Sequence, residues 1–143
     1  IGLGIPAEPL FRSSYLDANA YFHVLVDKLR QVLGISFPAC KNQLIADYGQ
    51  PEYIDGELVV IKTNIKPEQM AEQETLHCTP VRLEFQGDKA VWFYRVYRGS
   101  HTYDTKEMSI LIDGTVEECK AQGIETLPPG KLKEMEEAWR SQS

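Results

Sequence analysis

The chain has 143 residues, of which 43% are hydrophobic and 25% charged, and its 21 acidic against 15 basic side chains give a net charge of −6. This size and composition are typical of one globular domain that folds without a metal or a disulfide framework. They exclude a chain that is disordered throughout, and the acidic balance disfavours nucleic acid and anionic membranes as partners. The apolar runs are too short to cross a bilayer, so we expect no membrane segment.

Three cysteines, Cys40, Cys78 and Cys119, stand far apart in the sequence. An odd number excludes a complete set of disulfides, although one bridge with a spare thiol stays compatible with it. We predict three reduced thiols and a cytoplasmic location. Secretion after removal of a signal peptide is the alternative, because the chain begins with Ile rather than Met. Residues 1–14 mix Gly and Pro with scattered apolar side chains and predict an irregular N-terminal arm.

Two helices are predicted next. Between the capping residue Asp17 and Gly34, apolar residues recur at spacings of three and four, which is typical of an amphipathic helix. Its predicted buried stripe is Phe22, Leu25, Val26, Leu29, Val32 and Leu33. A second, shorter helix is predicted over residues 38–48, since Ser36 precedes it and Gly49 follows it.

The middle of the chain predicts β-structure. Residues 57–65 have the β-branched content of a strand, and residues 67–72 predict one or two helical turns. Apolar and polar residues then alternate strictly over 81–86. The Gly-Asp pair at 87–88 suits a two-residue hairpin turn, so a paired strand is predicted over 89–98.

A second turn at 99–101 and a third strand of this meander over 102–112 complete the predicted sheet. Thr115 and Glu118 have the spacing of a capping box, which predicts a short helix that ends at Gly123. A last helix is predicted to carry Leu132, Met135 and Trp139.

These elements predict a single domain over residues 1–143 with an α+β fold. Strands joined by short turns pair antiparallel, so we expect a β-meander of three to four strands. The N-terminal amphipathic helix and the short C-terminal helices are expected to pack against this sheet and share one core with it.

The hairpin turn predicts which side chains share a face of the sheet. Leu83 is expected opposite Trp92 and Val81 opposite Tyr94. The predicted core face is therefore Val81, Leu83, Phe85, Ala90, Trp92, Tyr94 and Val96. The predicted outer face is Arg82, Glu84, Val91, Phe93, Arg95, Tyr97, Tyr103, Thr105 and Glu107.

The outer face supplies the candidate binding residues. Arginine and aromatic side chains are enriched where proteins bind partners. The predicted site is Arg82, Phe93, Arg95, Tyr97, Tyr103 and Glu107. The alternative is plain packing of long side chains on an exposed face, with Arg95 stacked on Tyr97 or Phe93.

Catalytic and metal-binding patterns are absent from the sequence. His77 and Cys78 are adjacent, and adjacent residues of an extended segment point in opposite directions, so they make a poor catalytic pair. There is no nucleophile elbow, phosphate loop, dinucleotide fingerprint or metal-ligand spacing. We therefore expect no cofactor and no metal, identify no catalytic residue, and favour a protein that is not an enzyme.

Two functions stay open at this point. The first is a non-catalytic binding or accessory protein, which contacts a protein partner or a second copy of itself through the outer sheet face. The second is a small-ligand-binding domain or cofactor-free enzyme, with a pocket between the sheet and the first two helices. They differ in which face of the sheet the helices cover.

Overall fold

A computed structural model describes residues 17–142 of the chain. The helices in this part are α1 (Ala18–Leu33), α2 (Phe37–Tyr48), α3 (Pro67–Met70), α4 (Thr105–Ala121) and α5 (Pro129–Gln142). The strands are β1 (Tyr53–Ile54), β2 (Glu57–Leu58), β3 (Val60–Thr63), β4 (His77–Gln86) and β5 (Lys89–Tyr97). The predicted α+β class is confirmed, and the predicted N-terminal arm lies outside the described residues.

Helix α1 begins and ends as predicted. The Asp17 carboxylate accepts a hydrogen bond from the Ala20 N–H at 3.1 Å, and Gly34 ends the helix in the left-handed region with φ 70°. The buried stripe is Tyr21, Phe22, Leu25, Val26 and Leu29. The prediction that Val32 and Leu33 belong to this stripe is wrong, because both lie in the last turn and are 54% and 44% exposed.

The main core is built by helices alone. Helices α1, α2, α4 and α5 contribute every buried member of one apolar cluster, which runs from Tyr21 to Trp139 in the sequence. Its largest fully buried members are Tyr21, Phe22, Leu25, Ile45, Leu111, Ile112 and Met135. The sheet only borders this cluster through the partly buried Tyr97. The expectation of one core shared between sheet and helices is therefore wrong.

The strand predicted over 102–112 is a helix instead. Helix α4 begins after Asp104, which forms a capping box with Glu107, and it continues through the Thr115–Glu118 pair that was expected to start a helix. Its buried residues are Met108, Leu111, Ile112, Thr115, Val116 and Cys119. This spacing of three and four is the helical pattern, which Gly114 in the middle obscured because glycine is also a turn residue.

The sheet has the order β3-β5-β4, with antiparallel pairing throughout. The predicted hairpin is confirmed, since Leu83 lies opposite Trp92 and Gln86 opposite Lys89. The predicted pair of Val81 and Tyr94 is wrong. A bulge shifts the register, so that Pro80 lies opposite Tyr94 and Val81 has no opposite residue.

Helices α2 and α3 pack against β4 near its start, rather than along its whole length. They cover the face that carries Tyr94, which is fully buried and donates a hydrogen bond from its hydroxyl to the Ile65 carbonyl at 2.5 Å. Beyond this point the β4 part of the same face is exposed, while Trp92 and Ala90 on β5 are half-buried. Val81, Leu83 and Phe85 were predicted as core, but they are 45%, 40% and 66% exposed because the helices do not reach them.

Candidate binding surface on the sheet

The end of the sheet that extends beyond the helices is residues 81–92, here called the distal hairpin. It comprises the last part of β4, the turn at Gly87 and Asp88, and the first part of β5. Every residue from 81 to 89 is exposed. Gly87 takes φ 69°, a conformation that glycine adopts without strain, and so closes the tight turn.

One side of this region is apolar. Leu83 and Phe85 on β4 share it with Ala90 and Trp92 on β5, and Ile61 of β3 continues it, because Ile61 lies opposite Tyr94. We call these five residues the apolar face. Phe85 is the most exposed of the large apolar side chains in the described chain, at 66%. Leu83 and Phe85 are exposed, whereas Ile61, Ala90 and Trp92 are half-buried. An apolar group with exposed large members is typical of a contact surface rather than of a solvated one.

The other side is charged and aromatic, and we call Lys62, Arg82, Glu84, Phe93 and Arg95 the charged face. Arg82 donates from Nε to the Glu84 carboxylate at 2.7 Å, and its guanidinium lies 3.8 Å from the centroid of the Phe93 ring. Lys62 lies opposite Phe93. Three basic side chains against one acidic side chain make this face positive on a chain whose net charge is −6.

The structure brings four of the six predicted binding residues to the sheet. Arg82, Phe93 and Arg95 lie on the charged face, and Tyr97 lies at the base of β5, opposite His77. The stacking expected for Arg95 belongs to Arg82 instead. Arg95 is half-buried, and its side chain has no hydrogen bond or ion pair within the described residues.

Tyr103 and Glu107 do not lie on the sheet, because the segment predicted as a third strand is a loop and a helix. Arg98 donates from Nη1 and Nη2 to the Glu107 carboxylate at 2.9 and 3.2 Å. The Tyr103 hydroxyl accepts a hydrogen bond from the Gln50 N–H at 2.9 Å and donates one to the Arg98 carbonyl at 3.2 Å. Both side chains therefore join the end of β5 to the start of α4.

The outer edge of β4 is open within the described residues, since β5 is its only strand neighbour there. The Val96 N–H donates to the Val59 carbonyl at 3.0 Å, so even-numbered residues of β5 turn their backbone groups toward β3. Because the direction of the backbone groups alternates along a strand, those of Phe93 and Val91 point toward β4, where Arg82 and Glu84 lie opposite them. Leu83 and Phe85 consequently present their N–H and C=O groups to the open edge.

Sequence reasoning assigned the apolar face to the core and so missed the exposure of Leu83 and Phe85. The alternation of Val81, Leu83 and Phe85 identifies which side chains share a face, and that inference was right for Leu83 and Phe85. The same pattern is produced by a buried face and by a face that a partner covers. Only the reach of α2 and α3 distinguishes the two cases.

The described part of the chain contains cavities of different sizes. One of about 150 Å³ lies between α2, α3 and the sheet, and helix α1 does not line it. It is smaller than the roughly 300–1,000 Å³ that small-molecule sites occupy.

A second, open cavity of about 400 Å³ lies near the start of α1 and α4. Its two carboxylates already cap these helices, since Asp17 accepts from Ala20 and Asp104 accepts from the Glu107 N–H at 2.8 Å. Its Ser100 hydroxyl donates to Asn19 at 2.7 Å. These polar groups therefore serve the fold.

His77 and the cysteines have structural surroundings. His77 Nδ1 lies 2.5 Å from Asn42 Oδ1, while the Asn42 amide donates to the carbonyls of Ala71 and Gln73 at 2.8 and 2.9 Å. Because the Asn42 nitrogen is the donor to both carbonyls, its oxygen accepts from His77 Nδ1. Burial, together with the charges of Lys41 and His101, lowers the pKa of His77. Burial raises the thiol pKa of each of the three cysteines to about 11, which makes them poor nucleophiles. All three are unpaired.

Comparison with known proteins places no family name on this arrangement. No family model, curated protein or solved structure matches the chain. Within residues 17–142, no group of three His, Cys, Asp or Glu side chains is positioned to hold a metal ion. None of the helices in that range is long and apolar enough to span a membrane.

Proposed function

We propose that this protein is a non-catalytic binding protein that contacts a protein partner or a second copy of itself through its three-stranded sheet. The binding surface consists of the distal hairpin with its apolar face, the open edge of β4 and the adjoining charged face. One observation carries the proposal: Phe85 and Leu83 stand exposed on a sheet that lies outside the helical core.

Within the described residues, the exposure of these side chains has a cost that coverage by a partner would remove. The helical core is complete without the distal hairpin, so burying Leu83 and Phe85 is not required for folding. An open strand edge with exposed apolar residues also invites unspecific pairing with other chains. Coverage of this surface in the working assembly would remove both liabilities, which supports a binding role.

The charged face supports a binding role with a second feature. Arg82 is held over Phe93 and is 56% exposed, so its guanidinium is oriented before any contact forms. Planar arginine and aromatic groups in a fixed arrangement favour specific recognition over simple solvation. Because Cys40, Cys78 and Cys119 are unpaired thiols, we further infer a reducing compartment such as the cytoplasm.

Site-directed photo-crosslinking tests the proposal. A photoreactive phenylalanine analogue at position 85 is irradiated in an extract of cells that produce the protein, and the products are separated by mass. We expect a discrete crosslinked product from position 85. The matched control position is Ile110 on α4, which is also exposed, at 46%, but lies outside the sheet. Equal products from both positions, or none from position 85, would contradict the proposed surface.

Variants of the charged face give the complementary test. Arg95→Ala is expected to leave the thermal transition nearly unchanged and to reduce the yield of the crosslink formed from position 85. A matched control is Arg30→Ala on α1, whose side chain is 39% exposed and pairs with Asp27. If Arg95→Ala unfolds the protein while the surviving folded fraction crosslinks normally, Arg95 is a structural residue.

A further inference from the structure

We infer that the open edge of β4 pairs antiparallel with the same edge of a second copy, with Leu83 on the two-fold axis, to form one continuous six-stranded sheet. Such self-pairing rests on the proposed function, because it names the partner that covers the distal hairpin. The residues that determine the partner and the register are Arg82, Leu83 and Glu84.

The direction of the backbone groups limits the possible registers. Leu83 and Phe85 present their N–H and C=O groups to the open edge, whereas Arg82 and Glu84 bond to β5. Residues that lie opposite each other in an antiparallel pair must share the same bonding direction. A two-fold axis can therefore pass through residue 82, 83, 84 or 85, but not between two residues.

Charge selects among these registers. An axis at residue 82 places Arg82 opposite its own copy, and an axis at 84 places Glu84 opposite its own copy, so both oppose like charges. An axis at 85 runs the pairing into the turn, since Leu83 would lie opposite Gly87. An axis at Leu83 places each Arg82 opposite a Glu84 of the other copy, which is the only register with two attractive cross-strand ion pairs.

The side chains already have the geometry that this register needs. The Arg82 guanidinium and the Glu84 carboxylate lie on the same face, 2.7 Å apart, and both side chains are more than half exposed. Two copies would therefore bring four alternating charges together on the charged face. On the apolar face the two Leu83 side chains would lie opposite each other, with Phe85 further out on each side.

Charge reversal tests the pairing by sedimentation velocity over a range of protein concentrations. The wild-type chain is expected to show a monomer–dimer equilibrium. Arg82→Glu or Glu84→Arg alone places like charges opposite each other at both symmetry-related positions. Each single variant is therefore expected to weaken dimerisation about tenfold or more. The double variant, with Arg82→Glu and Glu84→Arg together, restores two attractive pairs and is expected to return to within about threefold of the wild type.

Disulfide trapping tests the register. In the Leu83→Cys variant the two new thiols lie on opposite residues about 5.5 Å apart at Cα, which suits a disulfide. In the matched Phe85→Cys variant they lie more than about 10 Å apart. We expect an oxidised dimer from Leu83→Cys and almost none from Phe85→Cys or from the wild type, whose own thiols are at least half-buried.

The outcomes separate this inference from the proposed function. A wild-type chain that stays monomeric at all concentrations overturns self-pairing, as does a double variant no better than the single reversals or a Phe85→Cys variant that links as readily. In that case a crosslink from position 85 identifies what occupies the edge instead. The occupant is then either a different protein or residues 1–16 of the same chain. Crosslinking to another protein would leave the proposed function standing; the absence of any intermolecular contact from position 85 would remove both.

Discussion

The four long helices and the sheet of this protein expose their apolar residues very differently. Leu25 on α1 is 1% exposed within the helical core, whereas Leu83 on β4 is 40% exposed, although both residues belong to regular apolar patterns. The helices pack against one another and close their core. Helices α2 and α3 meet β4 near its start, beside Cys78, Thr79 and Pro80, and leave Leu83 and Phe85 exposed. Apolar patterning therefore reports burial in the first region and a surface available for contact in the second.

A small polar junction connects the two regions. Arg98 follows β5, and its guanidinium forms two hydrogen bonds with Glu107 at the start of α4 and a third with the Thr102 carbonyl at 2.7 Å. Glu107 also accepts from the Asp104 N–H at 3.0 Å, which completes the capping box. The pair of Arg98 and Glu107 thus orients the sheet on the helices. The pair of Arg82 and Glu84, by contrast, is exposed and available to a partner.

The largest expected effect contrasts the two leucines. Leu25→Ala is expected to lower the free energy of unfolding by about 2–5 kcal/mol, because it leaves a cavity in the helical core. Leu83→Ala is expected to cost less than about 1 kcal/mol, since the side chain is already substantially exposed. Chemical denaturation of both variants measures the contrast, and equal losses would show that the distal hairpin belongs to the core after all.

A pair of glycine substitutions tests how tightly the helices approach. A Cβ at Gly114 in α4 would overlap the ring of Tyr48 on α2, so Gly114→Ala is expected to destabilise by about 1–3 kcal/mol despite the better helix propensity of alanine. Gly130 in α5 has open space around it, so Gly130→Ala is expected to stabilise by up to about 1 kcal/mol. Thermal melts that gave both variants the same sign would contradict this packing.

The junction should matter more than the exposed pair. Arg98→Ala removes hydrogen bonds to a carboxylate whose side chain is 22% exposed, and a loss of about 1–2 kcal/mol is expected. Arg82→Ala removes a pair that is more than half exposed, so a loss below about 0.5 kcal/mol is expected. Urea denaturation ranks the two variants, and a larger loss for Arg82→Ala would reverse their assigned roles.

The last expected effect depends on pH and concerns the helices alone. The pKa of Glu136 on α5 is raised from 4.5 to about 7, and burial is the largest cause. A hydrogen bond with Asp113 of α4 and the negative charge of Asp113 add to the shift, whereas the positive charge of Arg140 opposes it. A raised pKa means that the folded state favours the protonated form, so stability falls as pH rises from 4.5 to about 7. Glu136→Gln mimics the protonated form and is expected to be more stable than the wild type above about pH 8.

The control for that variant is Glu134→Gln, since Glu134 is an exposed residue of the same helix whose side chain is 61% exposed and pairs with Lys131. Melting temperatures are compared between about pH 4.5 and pH 8, and the difference between wild type and Glu136→Gln is expected to vanish at the lower value. A difference that does not change with pH would assign the effect of Glu136→Gln to packing.

The local sequence determined where most elements lie. Asp17 and Gly34 mark the ends of α1, and the Gly-Asp turn with the alternation over 81–86 predicts the distal hairpin and its register near the turn. These are short-range effects, because capping, turn conformation and side-chain direction depend on neighbouring residues. Helix α4 was not predicted over its full length, because Gly114 and the residue types around it fit a strand and a turn as well as a helix.

Tertiary structure alone decided which apolar face is covered. Leu25 belongs to a helical spacing and Leu83 to an alternation, and their different exposure follows from the neighbours that pack on each, since the helical cluster encloses Leu25 whereas α2 and α3 leave Leu83 exposed. It also moved Tyr103 and Glu107 from the predicted site to the junction, and the bulge at Val81 shifted the pairing of Tyr94. Burial depends on neighbours that are distant in the chain, whereas the alternation of side chains depends only on the strand itself, so the sequence could define the two faces without indicating which parts of them are covered.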